Sequence, residues 1–314
     1  MTDKAIWITA GLLLVCVIWF MTIGSRGNWE FVLNFRGKKL IALLLVAVSV
    51  STSTLVFQTI TRNRILTPSI MGFDALYVLL LTFAVFTLGS IGYGALPPAL
   101  VFAVNLVLML VASLALFGTL LGQRQTDLMR MILTGIIFGV LFRSLTSFMQ
   151  RMIDPNEFTS IQVASYANFN RVDTTLLWVS AILTCVALAV IWRLRHNLDV
   201  LSLGYETATN LGEPVFRRQL QVLFLVALLV AISTSLVGPV IFLGLLVVSI
   251  ARAIAPNESH AVMLPLASGV AAIVLVGGQT ILERVMGLST PLVVVIDFVG
   301  GLVFLILILR EGRR

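Results

Sequence analysis

Charge is what this sequence has least of. Asp, Glu, Lys and Arg make up 11% of its 314 residues, while 59% are hydrophobic. A soluble domain needs roughly 25% charged residues to cover its surface, so a soluble globular fold is excluded. Short alternating polar and apolar segments are lacking too, which sets aside a transmembrane β-barrel. Histidine and cysteine occur twice each (His196, His260, Cys16, Cys185). Both cysteines lie inside apolar runs and read as small hydrophobes, so they indicate neither a disulfide nor a metal site. There is no His-Glu-x-x-His, no Gly-x-Ser-x-Gly and no pair of carboxylates on a helix face. Catalysis therefore has no residue set to work with. A phosphate-cradling glycine loop is also missing: Gly37-Lys38 lacks the upstream glycine and the following Ser or Thr. The net charge of +7 comes without a basic stripe interleaved with exposed aromatics, so it is not a nucleic-acid footprint. Arg and Lys gather in short segments between apolar runs, where they orient the chain and touch lipid headgroups.

What the sequence has is apolar runs of membrane-crossing length from end to end. A helix of about 20 residues crosses a ~30 Å hydrocarbon core, and only a helix satisfies its own backbone hydrogen bonds there. The reading is an all-α, polytopic membrane protein with about ten spans, forming a single transmembrane permease domain over residues 1–314. The spans are placed near 5–23, 40–60, 70–88, 96–121, 128–149, 175–192, 220–237, 240–255, 262–282 and 292–309. The first is too long for a signal-peptide core and has no small-residue cleavage site. An even count puts both termini on one side. Arg62, Arg64, Arg193, Arg195, His196, Arg217, Arg218 and the basic C-terminal tail fall on that same side, which the positive-inside rule makes cytoplasmic. Arg26, Arg36, Lys38 and Lys39 go against the trend and fall outside. A faint internal repeat pairs Val50-Ser51-Thr52-Ser53 with Ile232-Ser233-Thr234-Ser235, on spans running in opposite directions as an inverted repeat requires.

Two groups of residues stand out. The longest polar segment on the cytoplasmic side, about 194–219, contains Tyr205, Glu206, Ala208, Leu211 and Gly212 in a Glu-x-Ala-x-x-Leu-Gly pattern. That pattern suits a short helix in which Ala208 permits close approach and Gly212 ends the turn. An ordinary interfacial helix would look the same. The second group is Asn105, Arg143 and Asp297, polar residues within or near the ends of apolar runs, where polarity is costly and often functional. Arg143 follows Arg130 by 13 residues, ~20 Å along a helix, in the outer half of its span. It reads either as a snorkelling or paired structural side chain or as a cationic lining for an anionic substrate. Glu283 beside Arg284 reads as a local charge pair.

Across nearly its whole length the chain resembles the FecCD-type permeases of iron–siderophore, haem and cobalamin ABC importers. Lys39 through Gln58, with Asn63, Leu66, Pro68 and Gly72, is similar to the second helix of that family and the turn after it. Gly238 to Leu246 with Arg252 resembles the family's Gly-x-Ile-x-Phe-Val-Gly-Leu block, and Pro291, Gly300 and Phe304 fit its last helix. Arg64 in place of proline, Phe73-Asp74 in place of small residues, Val248-Ser249 in place of Pro-His, and Gly301 near the usual Gly-Pro depart from the pattern. These departures resemble the branch that carries catecholate-type siderophores.

The resemblance implies a type II importer fold with ten helices per chain and a dimer with an identical or a second, different permease subunit. The path would then lie at the dimer interface. It implies two copies of an ABC ATPase gripping Tyr205, Glu206, Ala208, Leu211 and Gly212, with ATP bound by that subunit and no cofactor in this one. It further implies a periplasmic or lipoprotein substrate-binding protein docking outside on Arg36, Lys39 and Arg284. The cargo would be a ferric siderophore, crossing the bacterial inner membrane. The competing reading is an ion-coupled secondary transporter, which needs a carboxylate near the bilayer midplane; Asp297 is the candidate.

Overall fold

A computed structural model describes residues 2–23, 29–121, 128–170, 172–284, 287 and 291–311. Thirteen helices follow one another in them: α1 (Thr2–Thr22), α2 (Trp29–Thr61), α3 (Phe73–Gly94), α4 (Pro98–Leu121), α5 (Leu128–Gln150), α6 (Pro155–Ala164), α7 (Thr174–Arg193), α8 (Arg195–Ser202), α9 (Tyr205–Asn210), α10 (Val215–Val237), α11 (Leu243–Ile254), α12 (His260–Arg284) and α13 (Leu292–Glu311). Among the described residues there is no strand. Eight helices are long and apolar enough to cross a membrane, and α11 and α13 supply two shorter apolar helices. Together they match the ten expected spans. The remaining three, α6, α8 and α9, are short helices in the connections.

Three spans form the centre. Most of the apolar window of α2 is buried (72%), as it is in α10 (67%) and α12 (56%), whereas only 11% of the α1 window is. α2 packs against both α10 and α12, with α11 alongside. The outer helices present large apolar side chains outward, among them Trp7, Leu14, Phe86, Val111, Trp178 and Ile182. In a bilayer this is the expected arrangement, since lipid tails are as apolar as leucine and do not drive helices together. Close backbone approach does that work instead. A Cβ on Gly72 would lie 2.9 Å from the Gly139 Cα, and one on Gly244 would lie 2.1 Å from the Thr54 hydroxyl. These glycines seat α5 against the start of α3, and α11 against α2.

Helix ends follow local chemistry. Asp173 caps α7 by accepting from the N–H groups of Thr175 (2.8 Å) and Leu176 (3.1 Å), satisfying donors that a helix start leaves free. Asp154, followed by Pro155 at the first helical position, does the same for α6. At the other end of α10, Gly238 takes φ +104° and Pro239 follows, so the helix stops and the chain turns into α11.

Two expectations need correction. α2 begins at Trp29, not near Leu40, so Arg36, Lys38 and Lys39 lie on the helix and not in a loop. A hydropathy reading registers only the lipid-length portion, and the polar first turns of a long helix fall outside it. His260, which falls between the spans placed near 240–255 and 262–282, is the first residue of α12 and is buried.

Candidate functional site

At one end of the bundle, α2, α12 and the segment before α7 converge. The Lys39 ammonium donates to the Glu283 carboxylate and to the Asn170 side-chain oxygen. Gln279, one turn earlier on α12, donates to the same Glu283 at 2.8 Å. Lys39 is 5% exposed, so its charge is spent inside the protein, holding α2 to α12. It is not presented to a docking partner, which corrects the expectation for this residue. Glu283 pairs with Lys39, not with its neighbour Arg284. Arg36 lies one turn before Lys39, half-buried, and its guanidinium donates to the carbonyls of Phe20 (3.3 Å), Met21 (3.0 Å) and Ile23 (2.8 Å). It thereby closes the C-terminal end of α1, where helix carbonyls lack partners. Arg284, at the end of α12, is exposed. Of the three expected docking cations, Arg284 faces out, Arg36 does so in part and Lys39 does not.

At the other end, α8, α9 and the start of α10 build a compact block. Leu198 and Leu201 of α8 and Ala208 of α9 are buried. Ala208 has no exposed surface, so a larger side chain would push α9 off the bundle. Glu206, Thr207, Thr209 and Asn210 are exposed, and so are Leu203 (55%) and Leu211 (62%); Tyr205 is half-buried. Two bare leucines on a small polar block at the membrane surface suit a protein groove better than water. Gly212 ends the block at φ +84°. Its N–H donates to Thr209 O (2.9 Å), and the Glu213 N–H donates to Ala208 O (3.0 Å). That is the overlapping closure a left-handed cap makes, as the sequence pattern anticipates. Glu213 then accepts from Arg218 Nε (2.5 Å) and Asn197 Nδ2 (2.9 Å), tying α8 to α10. Burial works against this carboxylate, but the two hydrogen bonds and the Arg218 charge outweigh it and hold Glu213 below its ordinary range.

The block is joined to the transmembrane core by a polar chain that runs from the half-exposed Asp199 to the buried His260 and Thr59. Asp199 on α8 accepts from the His260 N–H (2.8 Å) and contacts its Nδ1 (2.6 Å). The His260 Nε2 meets the Thr59 hydroxyl at 2.7 Å. One imidazole thus links the surface block to the last turn of α2 and the first of α12. Sequence reasoning misses this chain because its three members are far apart and none forms a local pattern.

The expected intramembrane polar residues behave differently from one another. Asn105 is buried on α4. Asp297 accepts from the Phe242 N–H at 3.1 Å and caps the start of α11, a structural task. Arg143 is exposed on α5 and lines an open depression of about 400 Å³ with Ser144, Ser147, Phe148 and Arg151. Arg151 lies two turns beyond Arg143, so both cations face the same space; this second cation is not singled out in the sequence. The depression holds two guanidinium groups, two hydroxyls and an aromatic ring, a set suited to an anionic aromatic chelate.

The profile of the FecCD transport family matches residues 5–310 of the chain. The petrobactin import system permease protein YclO of Bacillus subtilis (strain 168) is 42% identical over 303 residues, covering 96% of each chain. The petrobactin import permease FatC of Bacillus anthracis is 32% identical, covering 87% of this chain and 77% of its own. The ferric enterobactin permease FepD of Escherichia coli (strain K12) is 28% identical over 92% of this chain and 85% of its own. In fold, the chain matches a metal-chelate-type ABC transporter solved in an inward-facing conformation, with a TM-score of 0.85 at 20% identity over 98% of this chain and 99% of that one.

Proposed function

Because the chain belongs to the FecCD transport family, we propose that it is the membrane-spanning permease subunit of a binding-protein-dependent ABC importer for a ferric siderophore of catecholate type. The observation that carries the reading is its likeness to a petrobactin permease over 96% of both chains. Petrobactin-type cargo is anionic and aromatic, which agrees with the Arg143–Arg151 face of α5. The chain pairs with an identical or a related permease, and α5 lines the path between the two. Two ATPase subunits bind and hydrolyse ATP in the cytosol; this chain is a transport component and holds no nucleotide. The membrane is the bacterial inner membrane, with both termini cytoplasmic.

Each step follows from a part of the structure. A loaded periplasmic or lipoprotein binding protein approaches the outer face, where Arg284 and the accessible part of Arg36 steer its acidic lobes. Such charges add on-rate and register more than affinity. Closure of the ATPase dimer moves the α8–α9 block, seated through Tyr205, Glu206, Ala208, Leu211 and Gly212. The Asp199–His260–Thr59 chain passes that movement to α2 and α12. Asp297, the carboxylate expected for an ion-coupled reading, accepts from the Phe242 N–H at the start of α11, and ATP drives the transport proposed here.

Reconstitution tests the proposal. Proteoliposomes holding both permeases and the ATPase should take up radio-iron as the ferric catecholate only with ATP inside the ATPase compartment and binding protein outside. Uptake that continues without ATPase and binding protein, and collapses with an ion gradient, would contradict it.

A further inference from the structure

The two Ser-Thr segments of the internal repeat meet in space. Between α2, α10 and the start of α3 lies a buried cavity of about 10 Å³, room for one water-sized particle. Ser53 and Thr54 from α2, Ser233 and Thr234 from α10, Ser69 from the turn before α3 and Asp74 from the first turn of α3 supply its polar lining. Asp74 is 6% exposed. Ser69 satisfies part of its carboxylate, but Oδ2 is buried without a hydrogen-bond partner.

The lining offers acceptors. Ser53 donates its hydroxyl proton to Val50 O (3.1 Å), and Ser233 donates to Val230 O (3.0 Å). Both serine oxygens therefore keep lone pairs and have no proton left to give to Asp74. The charge felt at Asp74 is that of Asp297, of the same sign. A lone carboxylate in a membrane bundle is costly unless it is paired. A single water would supply protons but leave the charge standing. A dehydrated cation answers the charge and the acceptors together. The chain is also irregular on both sides, with the 62–72 segment entering α3 and Gly238-Pro239 leaving α10. Interrupted helices are where membrane proteins hold small cations.

We propose that Asp74, with the hydroxyl oxygens of Ser53, Thr54, Ser233 and Thr234, forms a binding site for one dehydrated monovalent cation of sodium's size. The site clamps α10, which leads out of the ATPase-facing block, to α2 and to the start of α3. ATP remains the energy source; the cation fastens one arrangement of these three elements. The inference stands whichever substrate the permease carries.

The test is radiolabelled sodium binding to the full permease–ATPase complex in nanodiscs, with thermal unfolding in sodium, potassium or N-methylglucamine chloride at equal ionic strength. The wild type should bind sodium saturably, at one site per chain, and unfold at higher temperature in sodium than in N-methylglucamine. Asp74→Asn should abolish both effects. Should that variant fail to assemble, Ser53→Ala and Ser233→Ala keep the charge and each remove one ligand; each should weaken sodium binding about tenfold. A folded wild-type complex with no saturable sodium binding would overturn the proposal. So would an unfolding temperature that follows pH but not sodium, since Asp74 would then hold a proton. Full sodium binding by the serine variants would overturn it as well.

Discussion

Gly212 gives a clean test of how the α8–α9 block works, because its side-chain space and its backbone point in different directions. A Cβ placed there meets nothing within 4 Å, so a substitution clashes with nothing inside the subunit. Its φ of +84° nevertheless lies in the left-handed region, which costs an ordinary L-residue roughly 1–2 kcal/mol. That corresponds to about a 5- to 30-fold loss in the population of the closed cap. Gly212→Val, being β-branched, should sit at the upper end of that range and Gly212→Ala at the lower. Asn visits the left-handed region far more readily, so Gly212→Asn should stay close to wild type. The assay is iron imported per ATP hydrolysed in proteoliposomes, with co-purification of the ATPase confirming assembly. The expected order is Gly, then Asn, Ala and Val. A Val variant that assembles and keeps the wild-type ratio would refute the reasoning. An Asn variant as poor as Val would show that bulk, not backbone conformation, is what matters there.

The end of the bundle that carries Lys39 and Arg284 separates two roles that the sequence merges. Lys39→Ala should lower stability by about 1–3 kcal/mol, because it leaves the Glu283 carboxylate, only 14% exposed, with Gln279 as its remaining donor, and thermal unfolding in detergent reads this. Arg284→Glu should leave unfolding unchanged but weaken binding-protein docking at low salt, with the difference fading as salt rises. Next to α9, Glu213 sits below its ordinary range. Its contribution to stability is therefore present above the unfolded-state value near ~4.3 and is lost as pH falls through the lower folded-state value. Hydrogen exchange in residues 205–213 should rise in the wild type as pH falls below the ordinary carboxylate range, and Glu213→Gln should flatten that dependence. Finally, Arg143→Ala and Arg151→Ala should each reduce uptake of an anionic ferric chelate while leaving basal ATP hydrolysis in place.

How far the molecule can be read from its sequence depends on the range of the interactions. Ten apolar helices are legible because lipid imposes one length and one backbone solution on each. The α9 block is legible because its signals lie within seven residues, with Ala208 where close packing is needed and Gly212 where the turn must reverse. The first turns of α2 are not, since a polar helical extension looks like a loop to any hydropathy measure. Lys39 misleads for a different reason: Glu283, the partner that removes it from the surface, is brought near only by the packing of α12 on α2. Asp297 looks like an intramembrane coupling group until the N–H of Phe242 is seen to need it. The Asp199–His260–Thr59 chain and the Asp74 cavity each draw on three separate elements, so neither leaves a local pattern. The repeat of Ser and Thr in α2 and α10, and Asp74 where the family pattern has a small residue, are the traces of that cavity in the sequence.

The side of the membrane on which residues 205–212 stand is the point on which the transport scheme depends. Thr209→Cys, in a background with Cys16 and Cys185 replaced, can be probed with a membrane-impermeant thiol reagent in intact cells and in inside-out vesicles. Labelling in inside-out vesicles alone, blocked when the ATPase is bound, is the expected result. Labelling from outside in intact cells, or labelling that the ATPase leaves unchanged, would contradict it.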